Sequence, residues 1–286
     1  MPGSPAFACR AEVEAIALAE MTQIVGSAGL RRRVAAIALA LPAAALARSL
    51  VALDGDLAGD SLRDAARAAL RRFGVDLGPS RVEGAVPVRG PLLVVANHPG
   101  LFDALALFSA LGRDDLATLA ARRPLLDALP NLRRRLLAVD PGASGGLALR
   151  KALSHLRGGG ALLHFPAGRI EPDPRVAPRG APLLAPWKPG LDLLLAVAAR
   201  ALPDLRVVAA LVSGVISPRA LALARTIGRG GGLTDALVPL IQLTLPGFGD
   251  AEVRVRFGPA EPAVRGGALR LRAQLEEMAG AAASMP

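Results

Sequence analysis

The chain has 286 residues, of which 52% are apolar, 20% charged and 3% aromatic, which excludes a disordered or coiled-coil protein. Its formal net charge is +10, and of 34 basic residues only Lys151 and Lys188 are lysines, the other 32 being arginines. A single cysteine, Cys9, excludes an internal disulfide and a cysteine-cluster metal site, and the lack of tyrosine argues against nucleic-acid binding by base stacking.

In chain order, residues 10–25 carry apolar positions at helical spacing, with Glu12, Glu14 and Glu20 among them, until Gly26-Ser27-Ala28-Gly29 interrupts the pattern. A second helix is expected over about 31–53. It holds the longest apolar run, Val34–Ala47, which is broken by Pro42 and preceded by Arg31-Arg32-Arg33. A spanning helix needs about 20 apolar residues, so the run reads as an interfacial helix with a basic edge. A helix packed on the domain fits it equally. Asp60-Ser61 is placed to cap a third helix over 62–72. Residues 1–78 thus read as an N-terminal helical, membrane-interfacial segment, and 79–286 as a catalytic domain.

Beyond Pro79 the texture changes. Pro91–Ala96 is a short continuous apolar run, as expected of a strand buried on both faces. Further strands are expected at 116–120, 136–139, 161–165, 206–212, 237–245 and 252–257. Helices are expected at 101–111, 124–129, 147–156, 191–201 and 269–278. This alternation predicts an α/β fold, a mixed, largely parallel sheet flanked by helices, behind an N-terminal helical segment. Gly228–Gly232 reads as a surface loop.

The sharpest feature is Asn97-His98-Pro99-Gly100-Leu101-Phe102-Asp103. It places His98 at the carboxyl end of a strand, where α/β proteins put their chemistry. Asp103 falls in the first turn of the next helix, and the Pro-Gly turn lets the ring fold back to it. A carboxylate on one ring nitrogen fixes the tautomer and raises the basicity of the other, as a general base requires. A turn-capping histidine beside a helix-start aspartate has the same spacing.

This stretch resembles the Asn-His-x4-Asp (HX4D) signature of the lysophospholipid acyltransferase family, the 1-acylglycerol-3-phosphate acyltransferase or PlsC-like enzymes. A second block of that family, Phe-Pro-Glu-Gly-Thr-Arg-Ser, is echoed by Phe165-Pro166-Ala167-Gly168-Arg169-Ile170-Glu171. Pro186-Trp187-Lys188-Pro189-Gly190 and Val207–Val212 are similar to later family stretches. The resemblance spans about residues 90–215. It implies a glycerophospholipid acyltransferase-like fold in which His98 deprotonates an acceptor hydroxyl and Asp103 orients it. The acyl donor would be a thioester, acyl-coenzyme A or an acyl carrier protein, with no bound cofactor and no metal. The acceptor would be lysophospholipid-like or glycerol-phosphate-like, its anionic group held by Gly168, Arg169 and Lys188, with Asn97 and Glu171 as further substrate-binding residues. The implied setting is phospholipid biosynthesis at the cytoplasmic face of the cell membrane, on an anionic surface met by Arg31–Arg33, Arg71-Arg72, Arg122-Arg123 and Arg133–Arg135.

Departures from the family pattern touch acceptor recognition. Ala167 stands where the family has glutamate, the basic residue comes one position early as Arg169, and Ala209 replaces a proline. Two other readings therefore stay open: a catalytically impaired lipid- or acyl-binding homologue, and a lipid hydrolase using the same His–Asp pair. A serine hydrolase is disfavoured. Gly142-Ala143-Ser144-Gly145-Gly146 matches a nucleophile elbow, but no Asp or Glu lies between Ser144 and either His155 or His164. Ser144 reads better as a helix cap. His164 is expected to be buried and neutral, and His155 an ordinary helix residue.

Overall fold

The computed structural model describes residues 7–25, 30–75, 77–100, 102–140, 145–228, 237–242, 245, 247–248 and 250–284. Three helices come first, α1 (Arg10–Val25), α2 (Leu30–Asp56) and α3 (Leu62–Arg72). Ser61 caps α3 as its position predicts: its hydroxyl oxygen accepts the Asp64 N–H at 3.1 Å, satisfying one of the donors a helix start leaves open. α2 runs through Pro42, although proline supplies no N–H to the carbonyl of Ala38 one turn back. Because the helix does not stop there, its stretch Ala36–Asp56 reaches 21 residues at a mean hydropathy of 2.0, with 28% of its apolar window buried. That is long and apolar enough to cross a membrane, so the run Val34–Ala47 understates the helix. The side chains of Arg31–Arg33 lie outside the described residues.

The strands are β1 (Val82–Glu83), β2 (Leu92–Ala96), β3 (Leu116–Ala121), β4 (Leu136–Val139), β5 (Ala161–His164), β6 (Arg206–Ser213), β7 (Arg254–Phe257) and β8 (Glu261–Pro262). They form one sheet in the order β1-β7-β6-β2-β5-β3-β4, with β8 also paired to β6. β2, β3, β4 and β5 run parallel, as do β2 with β6 and β1 with β7. β7 and β8 are antiparallel to β6. The sheet is therefore mixed and largely parallel, as expected. Helices α4 (Asp103–Leu111), α5 (Pro124–Asp127), α6 (Pro130–Arg133), α7 (Gly145–Arg157), α8 (Gly190–Ala201), α9 (Pro218–Gly228), α10 (residues 237–242) and α11 (Gly267–Ala283) flank it.

All five residues of β2 are buried, and alternation divides them between two cores. Leu92, Val94 and Ala96 pack with Leu62 and Leu70 of α3, Leu107 of α4 and, further out, Val13 of α1 and Leu53 of α2. Leu93 and Val95 pack with Leu156 of α7, Leu195 of α8 and Leu275 of α11. The N-terminal helices thus share a core with one face of the sheet. They are also fixed by a buried polar contact. The Asp54 carboxylate accepts the N–H groups of Asn131 and Leu132, both at 2.9 Å, which ties α2 to the start of α6.

One expectation is overturned. Residues 237–242 are helical, not part of a strand over 237–245. Val238 and Ile241, three apart, face Ala220 and Ala224 of α9, a helical spacing hidden inside the apolar run 237–241. α9 and β8 had no counterpart in the sequence reading. Ser144, with 141–143, and residues 229–232 of the expected Gly228–Gly232 loop lie outside the described residues.

Candidate active site

At the carboxyl edge of the parallel strands, β2 runs out into Asn97 and His98. Asn97 is fully buried. Its amide donates to the Val212 carbonyl at 2.8 Å and accepts the Val212 N–H at 2.7 Å, so the side chain continues the β2–β6 pairing in place of a peptide group. Its polar atoms are engaged in this way, and the side chain does not face open space. The chain then turns through Pro99 and Gly100. Gly100 has φ +89°, a conformation that favours glycine, and a Cβ there would lie 3.0 Å from Ile170 Cδ1 at the tip of an exposed side chain.

That turn brings His98 Nδ1 to 2.6 Å from Asp103 Oδ2. Asp103 is buried, and its carboxylate also accepts the N–H groups of Gly100 at 2.8 Å and Ala104 at 2.5 Å. Standing at the start of α4, it gains further from the partial positive charge of the helix terminus. The His98 side chain is 29% exposed, and with Nδ1 committed to Asp103 the nitrogen left for chemistry is Nε2. Phe165 stacks against the ring at 4.4 Å between centroids and 24° between planes. Burial works against charging the ring, but the hydrogen bond and charge of Asp103 and the charge of Glu171 outweigh it, so the His98 pKa is raised above its ordinary value.

The loop after β5 crosses this turn. Glu171 donates its N–H to the His98 carbonyl at 2.8 Å. Its carboxylate accepts the His98 N–H at 2.9 Å and the Ala185 N–H at 2.7 Å. Glu171 is 2% exposed, so the structure sets it against the histidine's own main chain. Two residues on, the carboxylate of buried Asp173 accepts the N–H groups of Gly214 at 2.8 Å and Ile216 at 2.9 Å. The two acids pin the loop to the ends of β2 and β6. Neither Asp173 nor the Phe165 stacking was read from the sequence. The signal was the pair of carboxylates set between prolines in Glu171-Pro172-Asp173-Pro174.

Gly168, with φ +61°, lies under the Lys188 side chain: a Cβ there would sit 2.7 Å from Lys188 Nζ. Arg169 and Lys188 are exposed, and neither pairs with a carboxylate among the described residues. Below them His164 is partly buried, its Nδ1 shielded from solvent and without a hydrogen-bond partner among the described residues. Burial, and secondarily the Lys188 charge, push its pKa down to about 4, so it is neutral at pH 7. His155 donates its Nε2–H to the Ala161 carbonyl at 2.8 Å, tying α7 to β5. Among the described residues no group of three or more His, Cys, Asp or Glu is placed to hold a metal ion.

No protein-family model matches the chain, and no curated protein matches it in sequence. Among solved structures it is similar to the crystal structure of the 1-acyl-sn-glycerophosphate (LPA) acyltransferase PlsC from Thermotoga maritima. That similarity has 17% identity and a TM-score of 0.49, covering 96% of each chain. At that identity and score the likeness carries no argument about chemistry, which has to be read from the site itself.

Proposed function

We propose that this protein is an O-acyltransferase that moves a fatty acyl group from a thioester, acyl-coenzyme A or acyl-acyl carrier protein, to the hydroxyl of a lysophospholipid-like or glycerol-phosphate-like acceptor. The observation that carries this reading is the His98–Asp103 pair at the end of β2: a partly exposed ring with a raised pKa, its Nδ1 held at 2.6 Å by a buried carboxylate. Nε2 takes the acceptor's hydroxyl proton as its oxygen attacks the thioester carbonyl. The imidazolium is stabilised by Asp103 and returns that proton to the departing thiolate as the C–S bond breaks. The residues needed form no covalent intermediate and call for no metal or bound cofactor.

Recognition of the acceptor is assigned to the loop beyond β5. Neither Arg169 nor Lys188 forms an ion pair among the described residues; Arg169 directly precedes Ile170 and Glu171, which touch the His98 turn, and the Lys188 side chain lies over Gly168. A guanidinium meets a phosphate with two parallel hydrogen bonds, and an ammonium adds a point charge. The membrane supplies such acceptors. α2 exposes Ile37 (78%) and Leu41 (82%) on its apolar stretch, and we place this helix in or on the bilayer. The net charge of +10 suits the cytoplasmic face, whose anionic lipids attract basic proteins.

The test is acceptor-dependent thiol release. Labelled acyl-coenzyme A and acyl carrier protein thioesters are incubated with lysophosphatidic acid, other lysolipids, glycerol phosphate and amine acceptors. Transfer to a hydroxyl acceptor supports the proposal. Free fatty acid formed without an acceptor would make the protein a hydrolase, and lysolipid binding without thiol release would make it a binding protein.

A further inference from the structure

Glu171 has no free oxygen to offer a substrate. One carboxylate oxygen accepts the His98 N–H and the other the Ala185 N–H, while its own N–H donates to the His98 carbonyl. His98 is therefore gripped at both of its peptide groups by a residue 73 positions away, and the same loop lays Ile170 against Gly100. We infer that Glu171 is a positioning residue for His98: its carboxylate fixes the peptide that aims the ring at Asp103 and leaves Nε2 facing outward. The inference rests on reading His98 as the base.

Two features support this over a role in holding substrate. Burial of a carboxylate is costly unless it is hydrogen-bonded, and here both oxygens are satisfied by main-chain N–H groups, which leaves a structure-fixing unit. The charge also reaches the ring. Asp103 at the start of α4 and Glu171 are the two carboxylates that act on His98, and Arg272 of α11 is the cation that acts on Glu171. Neutralising Glu171 leaves Asp103 alone to favour the protonated ring, so the His98 titration moves to lower pH.

The experiment compares the full-length wild type with Glu171→Gln and Glu171→Asp. Kinetics use oleoyl-coenzyme A with lysophosphatidic acid, and the histidine ring titrations are followed by NMR. With three histidines in the chain, single substitutions of His155 and His164 assign the spectrum. Glu171→Gln is expected to lower kcat about 10²-fold, the scale of a small misplacement of a catalytic group, with acceptor KM changed less than about twofold. It is also expected to move the His98 titration and the acid limb of the pH profile downward. Glu171→Asp keeps the charge and loses reach, so it lowers kcat while holding the titration nearer wild type, and it serves if Glu171→Gln does not fold. A raised acceptor KM with unchanged kcat, or an unmoved His98 titration in both variants, overturns the inference. Full activity in His98→Ala would instead overturn the reading of His98 as base.

Discussion

Asn97 and Val212 lie 115 residues apart and exchange two hydrogen bonds through one side chain, at 2.8 and 2.7 Å. The pairing carries the β2–β6 seam up to the residue before His98, so the position of His98 depends on an asparagine that touches no open space. Asn97→Ala leaves a buried N–H and a buried C=O on Val212 without partners, each costing about 1–3 kcal/mol. We expect a loss of about 2–4 kcal/mol in denaturant unfolding; a change inside about 0.5 kcal/mol would mean the seam holds without it.

Asp103 sets both the tautomer and the basicity of His98. The ring must be neutral to accept a proton, and its pKa is raised, so kcat/KM should climb with pH through a limb above the ordinary histidine value of about 6.5. Asp103→Asn removes the charge and disturbs the tautomer. The acid limb should then move to lower pH while kcat falls about 10²–10⁴-fold. A variant with an unmoved limb would detach Asp103 from the base.

Arg169 and Lys188 should act on acceptor affinity and leave the chemistry alone. Replacing either with alanine removes a charge-assisted contact of about 1.5–3 kcal/mol, so KM for a phosphate-bearing acceptor should rise about tenfold or more, with kcat retained. KM for an uncharged acceptor should not move. Equal changes for both acceptors would place the cations outside the site.

His164 predicts an acid-sensitive stability. The unfolded chain binds a proton there near pH 6.5, while the folded chain resists until about pH 4. Between those values the unfolded state holds more protons, so stability present at neutral pH is lost as pH falls through the window. The size is about 3 kcal/mol. His164→Leu removes the group and its unpartnered Nδ1. The stability difference between variant and wild type should therefore grow in the variant's favour from pH 6.5 down to 4. A constant difference across that range would contradict the assignment.

Much of this was legible in the residues. The five-residue apolar run of β2 and the Pro-Gly turn before Asp103 gave the strand, the turn and the His–Asp pair, because each is a local pattern. Glu171 was visible as a carboxylate near the site, but its partners are main-chain N–H groups of His98 and Ala185, which carry no sequence signal. Asp173 likewise bonds main-chain N–H groups, and only its alternation with prolines in Glu171-Pro172-Asp173-Pro174 marked it. The run at 237–241 misled because a short continuous apolar stretch does not separate strand from helix. α9 was readable, with Pro218 at its start. α2 follows the helix expected over about 31–53 through Pro42 and ends three residues later, at Asp56; what fell short was the apolar run counted only to Ala47.

The most direct test of the central claim is acyl transfer by His98→Ala beside the wild type, with melting curves to confirm that both are folded. Loss of the general base should reduce acceptor-dependent thiol release by at least about 10²-fold at every pH. A folded His98→Ala protein that retained full transfer with every acyl donor would contradict it.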